Sequence, residues 1–209
     1  MKYDRKEALR YLRAKPGDDA AGVLADTAYL KLRNEVQARH ILQRHGCTVD
    51  DAGVTLDCGV RFESSDLARH LKGCQYLLAL GATLGSRVDV AIRRMAVTSV
   101  AEGAAAQAVA AALIESYCDE VQAKTDLADL GSLKQRPRFS PGYGNWDLKE
   151  QSKMFALLDC KRIGLTLTDG LMMAPSKSVT ALIGLSESVA CVWNKCMTCG
   201  NINCPYREG

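Results

Sequence analysis

Four of the nine cysteines fall in the last 19 residues, CVWNKCMTCGNINCPYREG, as Cys191, Cys196, Cys199 and Cys204 in the spacing C-x4-C-x2-C-x4-C. Thiolates at such spacings bind Zn²⁺ tetrahedrally, and C-x4-C-x2-C also occurs among plant-type iron–sulfur ligands. Structural zinc and an iron–sulfur cluster both fit the pattern. So does a reduced tail in which Cys191 is a buried strand residue and the others are exposed thiols. Cys160 is a spare candidate ligand, while Cys47, Cys58, Cys74 and Cys118 read as packing residues. An odd cysteine count behind an N-terminus that carries charges throughout and has no apolar export segment favours thiols or metal ligands over disulfides. The expected location is therefore the cytoplasm.

The second stretch with chemical potential is RPRFSPGYGNWD, residues 136–147, which groups arginines, a Pro-Gly pair, a tyrosine and a tryptophan without a hydrophobic period. Ser140-Pro141-Gly142-Tyr143 is a turn by its residue types. Proline presets φ at the first central position and glycine accepts a positive φ at the second.

The elements that must position these residues are read from periodicity. Asp4 opens a short helix over 4–13. Beyond Pro16-Gly17, Asp18 or Asp19 caps a longer helix with apolar Leu24, Ala28, Leu32 and Val36 on one stripe. His40 and His45 then sit near the end of that helix, where a cation suits the dipole. GVTLDCGVRFE alternates as one half-buried strand, Ser64 or Ser65 starts a helix through Leu71, and QYLLALGATLG is a buried strand. A helical region runs from Arg87 to about Val121, and its alanine-rich centre would let another backbone approach closely. Residues 148–158 form a helix, IGLTLT and SVTALIGL are strands, and ESVACVW is a candidate third. Without regular βα alternation this order implies α+β, a single domain over 1–190 with a largely antiparallel twisted sheet flanked by helices, followed by the 191–209 tail.

Several functions are not signalled. Net charge is +3 with both signs interspersed, so no nucleic-acid surface is indicated. The longest apolar run, 104–114, is interrupted by Gln107 and is too short for a membrane span of ~20 residues. No G-x-G-x-x-G, P-loop, H-E-x-x-H or corrinoid-binding Asp-x-His-x-x-Gly occurs.

Read together with LTLTDGLMMAPSKSVTALIGLS at 165–186 and YLLALGATLGSRVD at 76–89, the loop resembles the activation domain of cobalamin-dependent methionine synthase, in a short stand-alone form. The matching text is Arg138-Phe-Ser-Pro-Gly-Tyr143, Leu167-Thr-Asp-Gly, Met172-Met173, Pro175 and Ser178-Val179. The resemblance implies reductive reactivation, in which the chain serves as the activation subunit of a methyltransferase. It would present S-adenosylmethionine as methyl donor to cob(II)alamin/cob(I)alamin held by a partner, a methionine synthase or related corrinoid protein. Flavodoxin or ferredoxin would serve as electron donor. Under that resemblance Arg138 pairs with the ligand carboxylate, Ser140, Pro141 and Gly142 offer backbone groups, Tyr143 an aromatic face, and Glu115 a carboxylate from the long helix. Two other readings stay open: a non-catalytic corrinoid-protein chaperone or binding module, and an iron–sulfur or zinc redox protein that uses the tail.

Overall fold

The computed structural model describes residues 1–15, 17–128 and 130–187. The cysteine tail, including Cys191, Cys196, Cys199 and Cys204, and the ESVACVW segment beyond residue 187 lie outside the described residues. The chain folds into two compact units. The first comprises Met1–Ile41, Gly81–Ala128 and Asp159–Val179, and the second the described parts of Leu42–Leu80, Asp129–Leu158 and Thr180–Gly209.

The first unit is mainly helical: α1 (Arg5–Leu12), α2 (Asp19–Leu32), α4 (Ser86–Thr98) and α5 (Val100–Ala128). Asp4 and Asp18 cap α1 and α2 by accepting from the first free backbone amides, as the residue types predict. α2 ends at Leu32, so Val36 is not part of its stripe. Ser99 breaks the long helical region into α4 and α5 by adopting an extended backbone. The alanines of α5 do allow close approach: Ala105, Ala106, Val109 and Ala110 are fully buried, and α1, α2 and α4 pack along it. A methyl group on Gly103 would stand 2.7 Å from the Ala96 Cα, so the α4–α5 corner requires a glycine there. A small hairpin of β6 (Thr166–Leu167) and β7 (Met173–Ala174) completes the unit. IGLTLT is thus mostly not strand, because Cys160–Ile163 forms a 3-10 turn that ends at Gly164 with φ 73°.

The second unit carries the sheet, in the order β3-β2-β1-β4-β8-β5, where β1 is Arg39–Val49, β2 Gly53–Leu56, β3 Arg61–Glu63, β4 Tyr76–Thr83, β5 Lys134–Gln135 and β8 Ser178–Ser186. The unit boundary falls inside β1, β4 and β8. Pairings β1–β2, β2–β3 and β5–β8 are antiparallel, which gives the expected α+β class. Two expectations are corrected. His40 and His45 lie on β1, not at a helix end, and GVTLDCGVRFE is two strands joined by a turn. In that turn Gly59 has φ 84° and its amide donates to the Leu56 carbonyl at 2.9 Å. The helix α3 (Ser65–Leu71) lies against β8, where a methyl on Gly184 would stand 2.8 Å from Leu71 Cδ2. α6 (Gln151–Leu157) follows the 3-10 turn Leu148–Glu150 and is tied to the sheet by Gln151 Nε2 donating to Thr180 Oγ1 at 2.7 Å. No helix among the described residues is long and apolar enough to cross a membrane.

Candidate functional site

The loop 136–147 is the region where sequence chemistry and geometry meet. Its tip is the turn that the residue types require. The Tyr143 amide donates to the Ser140 carbonyl at 3.0 Å around Pro141 and Gly142, and Gly142 takes φ 93°, which closes a type II turn. A second reversal follows directly, with Gly142 N donating to Trp146 O at 2.7 Å and Trp146 N to Tyr143 O at 2.9 Å.

Both ends of the loop are fastened to α3. At its N-terminus, Asn145 Oδ1 accepts from Ser64 Oγ at 2.6 Å and from the Asp66 amide at 3.1 Å, while Asn145 Nδ2 donates to Ser65 Oγ at 2.7 Å. Asp66 answers by accepting from the Asn145 amide at 2.9 Å. Ser64 itself accepts from the Leu67 amide, so the cap of α3 and the loop share one network. Gly144, with φ 53°, passes so close that a side chain there would meet Asp66 Oδ2 at 2.4 Å.

At the C-terminus of α3, the buried Arg136 guanidinium donates to the His70 carbonyl and, at 2.8 Å, to the Lys72 carbonyl. A cation suits this helix end and answers carbonyls that the helix leaves open. The Arg136 amide also donates to Gly184 O at 2.8 Å, and Phe139 exchanges backbone bonds with Leu182 at 3.0 and 2.8 Å, which fixes the loop to β8.

Beneath the tip lies an aromatic cluster. Phe139 and Trp146 are buried with ring centroids 6.1 Å apart, Phe62 meets Trp146 edge-on at 5.3 Å, and Tyr143 meets Phe139 edge-on at 5.9 Å. Trp146 Nε1 is buried with no hydrogen-bond partner among the described residues. His70 is fully buried against Phe139 and donates from Nε2 to the Pro137 carbonyl at 2.8 Å.

Burial pushes the His70 imidazole below its ordinary 6.5; the Pro137 carbonyl opposes the shift and the Arg136 charge adds to it. The unfolded chain therefore takes up a proton near pH 6.5 that the folded chain refuses. Stability should be fully present above pH 6.5 and fall as the pH drops through 6.5 towards the lower folded value. We expect urea midpoints followed from about pH 8 to about pH 5 to decline, and the decline to be shallower in His70→Asn.

Of the residues singled out from the sequence, Arg138, Ser140, Pro141, Gly142 and Tyr143 all lie on this loop. Arg138, Ser140 and Tyr143 are half-buried and Gly142 is exposed. One expectation changes, because the amides of Gly142 and Tyr143 already bond within the loop and are not offered outward. Glu115 is half-buried on α5, in the other unit, and is no part of the loop. Cys160 is buried and its thiol is pushed up to about 11 by burial, so it behaves as a core residue. Cys74 and Cys118 are buried as expected and Cys47 is half-buried, whereas Cys58 is exposed and is not a core residue.

Sequence reasoning passed over Arg136, Asn145 and His70. The repeated Arg-x-Arg of RPRF was the available signal that one arginine anchors while the other remains at the tip.

Comparison with known proteins bears on the same segment. Residues 94–194, which include the loop, match the family model "Vitamin B12 dependent methionine synthase, activation domain". A stretch of 66 residues, 31% of the chain, is 39% identical to a methionine synthase of Mycobacterium tuberculosis and spans 5% of that relative's length. The fold matches the crystal structure of the MetH reactivation domain bound to AdoHcy with a TM-score of 0.61 at 18% identity, over 84% of this chain and 68% of that one.

Proposed function

From its relation to the activation-domain family of vitamin B12 dependent methionine synthase, we propose that this chain assists the reactivation of a corrinoid methyltransferase by presenting S-adenosylmethionine on the loop 136–147. The observation that carries the reading is the strapped loop. A type II turn with Arg138 before it and Tyr143 closing it lies inside the segment that matches the family, and the loop is tied to both ends of α3.

In this reading Arg138 pairs its guanidinium with the ligand carboxylate, a planar two-bond match that lysine does not supply. The Tyr143 ring lies against the sulfonium or adenine, where a cation near an aromatic face gains about 0.5–2 kcal/mol. Ser140, Pro141 and Gly142 shape the backbone of the turn, and the Gly142 and Tyr143 amides are taken up within the loop. The anchoring of the strap matters because methyl transfer depends on orientation, and a loop held at both ends loses little freedom on binding. The corrinoid, carried by the partner protein, supplies the methyl-accepting and redox chemistry; a flavodoxin or ferredoxin supplies the electron. The work of this chain is to hold the donor, aim its methyl group and keep water from the transfer path.

Calorimetry of the purified chain with S-adenosylmethionine, alone and with a corrinoid partner, tests the proposal. Heat is expected with the wild type, and Arg138→Ala should weaken binding at least ~10-fold, about 1.4 kcal/mol, with an unchanged circular dichroism spectrum. Absence of heat in both settings would overturn the methyl-donor role. The engagement of the Gly142 and Tyr143 amides within the loop favours one alternative, a corrinoid-protein binding module without a methyl donor. A complex with the partner that forms with no S-adenosylmethionine affinity would establish it.

A further inference from the structure

We propose that His45, Asp57 and Cys58 form a site for a divalent transition-metal ion, with Zn²⁺ the ion that fits the donor set best. The three donor atoms lie within 4.8 Å of one another. The site shares no residue with the ligand loop or with the cysteine tail.

The geometry follows from the hairpin. β1 and β2 pair with Cys47 opposite Leu56, and continuing that register sets Gly46 opposite Asp57 and His45 opposite Cys58. The Asp57 amide donates to the Gly46 carbonyl at 2.9 Å, which confirms the extension, and the turn closed at Gly59 holds Asp57 and Cys58 on its near side. The carboxylate is aimed from both oxygens. Oδ2 accepts the Gly46 amide at 2.8 Å and Oδ1 lies 3.0 Å from His45 Nδ1. The His45 side chain is 14% exposed against 58% for Asp57, and Cys58 is exposed, so the imidazole is fixed from below while an ion can enter from solvent. Without an ion the Asp57 carboxylate holds the ring proton on Nδ1, and His45 Nε2, buried with no hydrogen-bond partner among the described residues, is the nitrogen that takes it up when an ion binds.

An imidazole, a carboxylate and a thiolate form a borderline-soft set that suits zinc, and three protein ligands leave the fourth tetrahedral position to water. The Nδ1–Oδ1 distance of 3.0 Å is the length of a hydrogen bond, and opening it by a few tenths of an ångström gives the edge, about 3.3–3.6 Å, of a tetrahedron with bonds of ~2.0–2.2 Å. The cation takes the place of the proton between those atoms. The imidazole stays neutral with its proton on Nε2, and the Cys58 thiol releases one proton to solvent. No electron moves. One carboxylate and one thiolate balance the charge of the divalent ion.

The test uses the full chain with Cys191, Cys196, Cys199 and Cys204 replaced by serine, so that the tail does not compete, and Co²⁺ as the spectroscopic probe under anaerobic conditions. Expected is stoichiometric binding with a cobalt–thiolate charge-transfer band that Zn²⁺ displaces. Cys58→Ser should abolish the band without changing the far-ultraviolet spectrum, because the residue is exposed in a turn. His45→Gln and Asp57→Asn should each weaken binding by tenfold or more in competition with a chromophoric chelator. A missing band, or a band that persists in Cys58→Ser, overturns the site. If His45→Gln fails to fold, Cys58→Ser and Asp57→Asn decide the matter.

Discussion

Replacing Arg136 with methionine should destabilise the protein by about 3–6 kcal/mol, since hydrogen bonds to a charged group contribute about 1.5–3 kcal/mol each and two are lost. The buried guanidinium donates to the His70 and Lys72 carbonyls at the end of α3. Methionine replaces the aliphatic stem, so the loss comes from two carbonyls left without a donor rather than from a cavity. Arg136→Lys should fall between, as one ammonium does not span both carbonyls in the way a fork does. Urea denaturation at unchanged m-value measures the effect. A loss below about 1 kcal/mol would mean that water replaces the guanidinium. The consequence for function is indirect. With its anchor gone the loop loses its register on β8, and S-adenosylmethionine affinity should fall along with stability.

The second large effect is expected at the other end of the strap. Asn145→Ala removes acceptors from Ser64 Oγ and the Asp66 amide and a donor from Ser65 Oγ. Net contributions of about 0.5–1.5 kcal/mol per neutral bond give about 2–3 kcal/mol, because Ser64 is buried and finds no water in exchange. Since Ser64 also caps α3, the loss should exceed that of a surface asparagine and should couple to Ser64→Ala in a double-mutant cycle. Purely additive losses would show that the cap and the loop are separate devices. Ligand affinity offers the functional readout. A loop untied from α3 has more freedom to lose on binding, and calorimetry should register weaker binding even though Asn145 touches no proposed ligand contact.

Much of the scaffold was legible from local rules. Asp4, Asp18 and Ser64 cap the helices their residue types announce, and the Ser140–Tyr143 turn forms around Pro141 and Gly142 as their preferred φ values require. β4 and β8 read as strands because continuous apolar runs have nowhere to go but the interior of a sheet. β1 was not legible. Its residues are exposed or half-buried and none is fully buried, so RHILQRHGCTV shows neither the alternation of a half-buried strand nor the continuity of a buried one. Its conformation is decided by pairing with β2, a contact between positions that local propensity does not see. The same holds for the break at Asp57–Gly59, where alternation continued through a turn and concealed it.

The sequence by itself determined the class of fold, the positions of most caps and turns, and the candidate loop with Arg138 and Tyr143, since each depends on the preferences of residues close along the chain. The division of labour between the two arginines was decided only in three dimensions. Arg136 and Arg138 are chemically identical and two residues apart, yet the first is buried across carbonyls 64 and 66 residues away while the second remains half-buried at the tip. His45 and Cys58 likewise became neighbours only when an antiparallel register brought a half-buried and an exposed position face to face. Burial and register are properties of the packed chain, and it is they that turned a set of residue types into an anchored loop and a cluster of ligands.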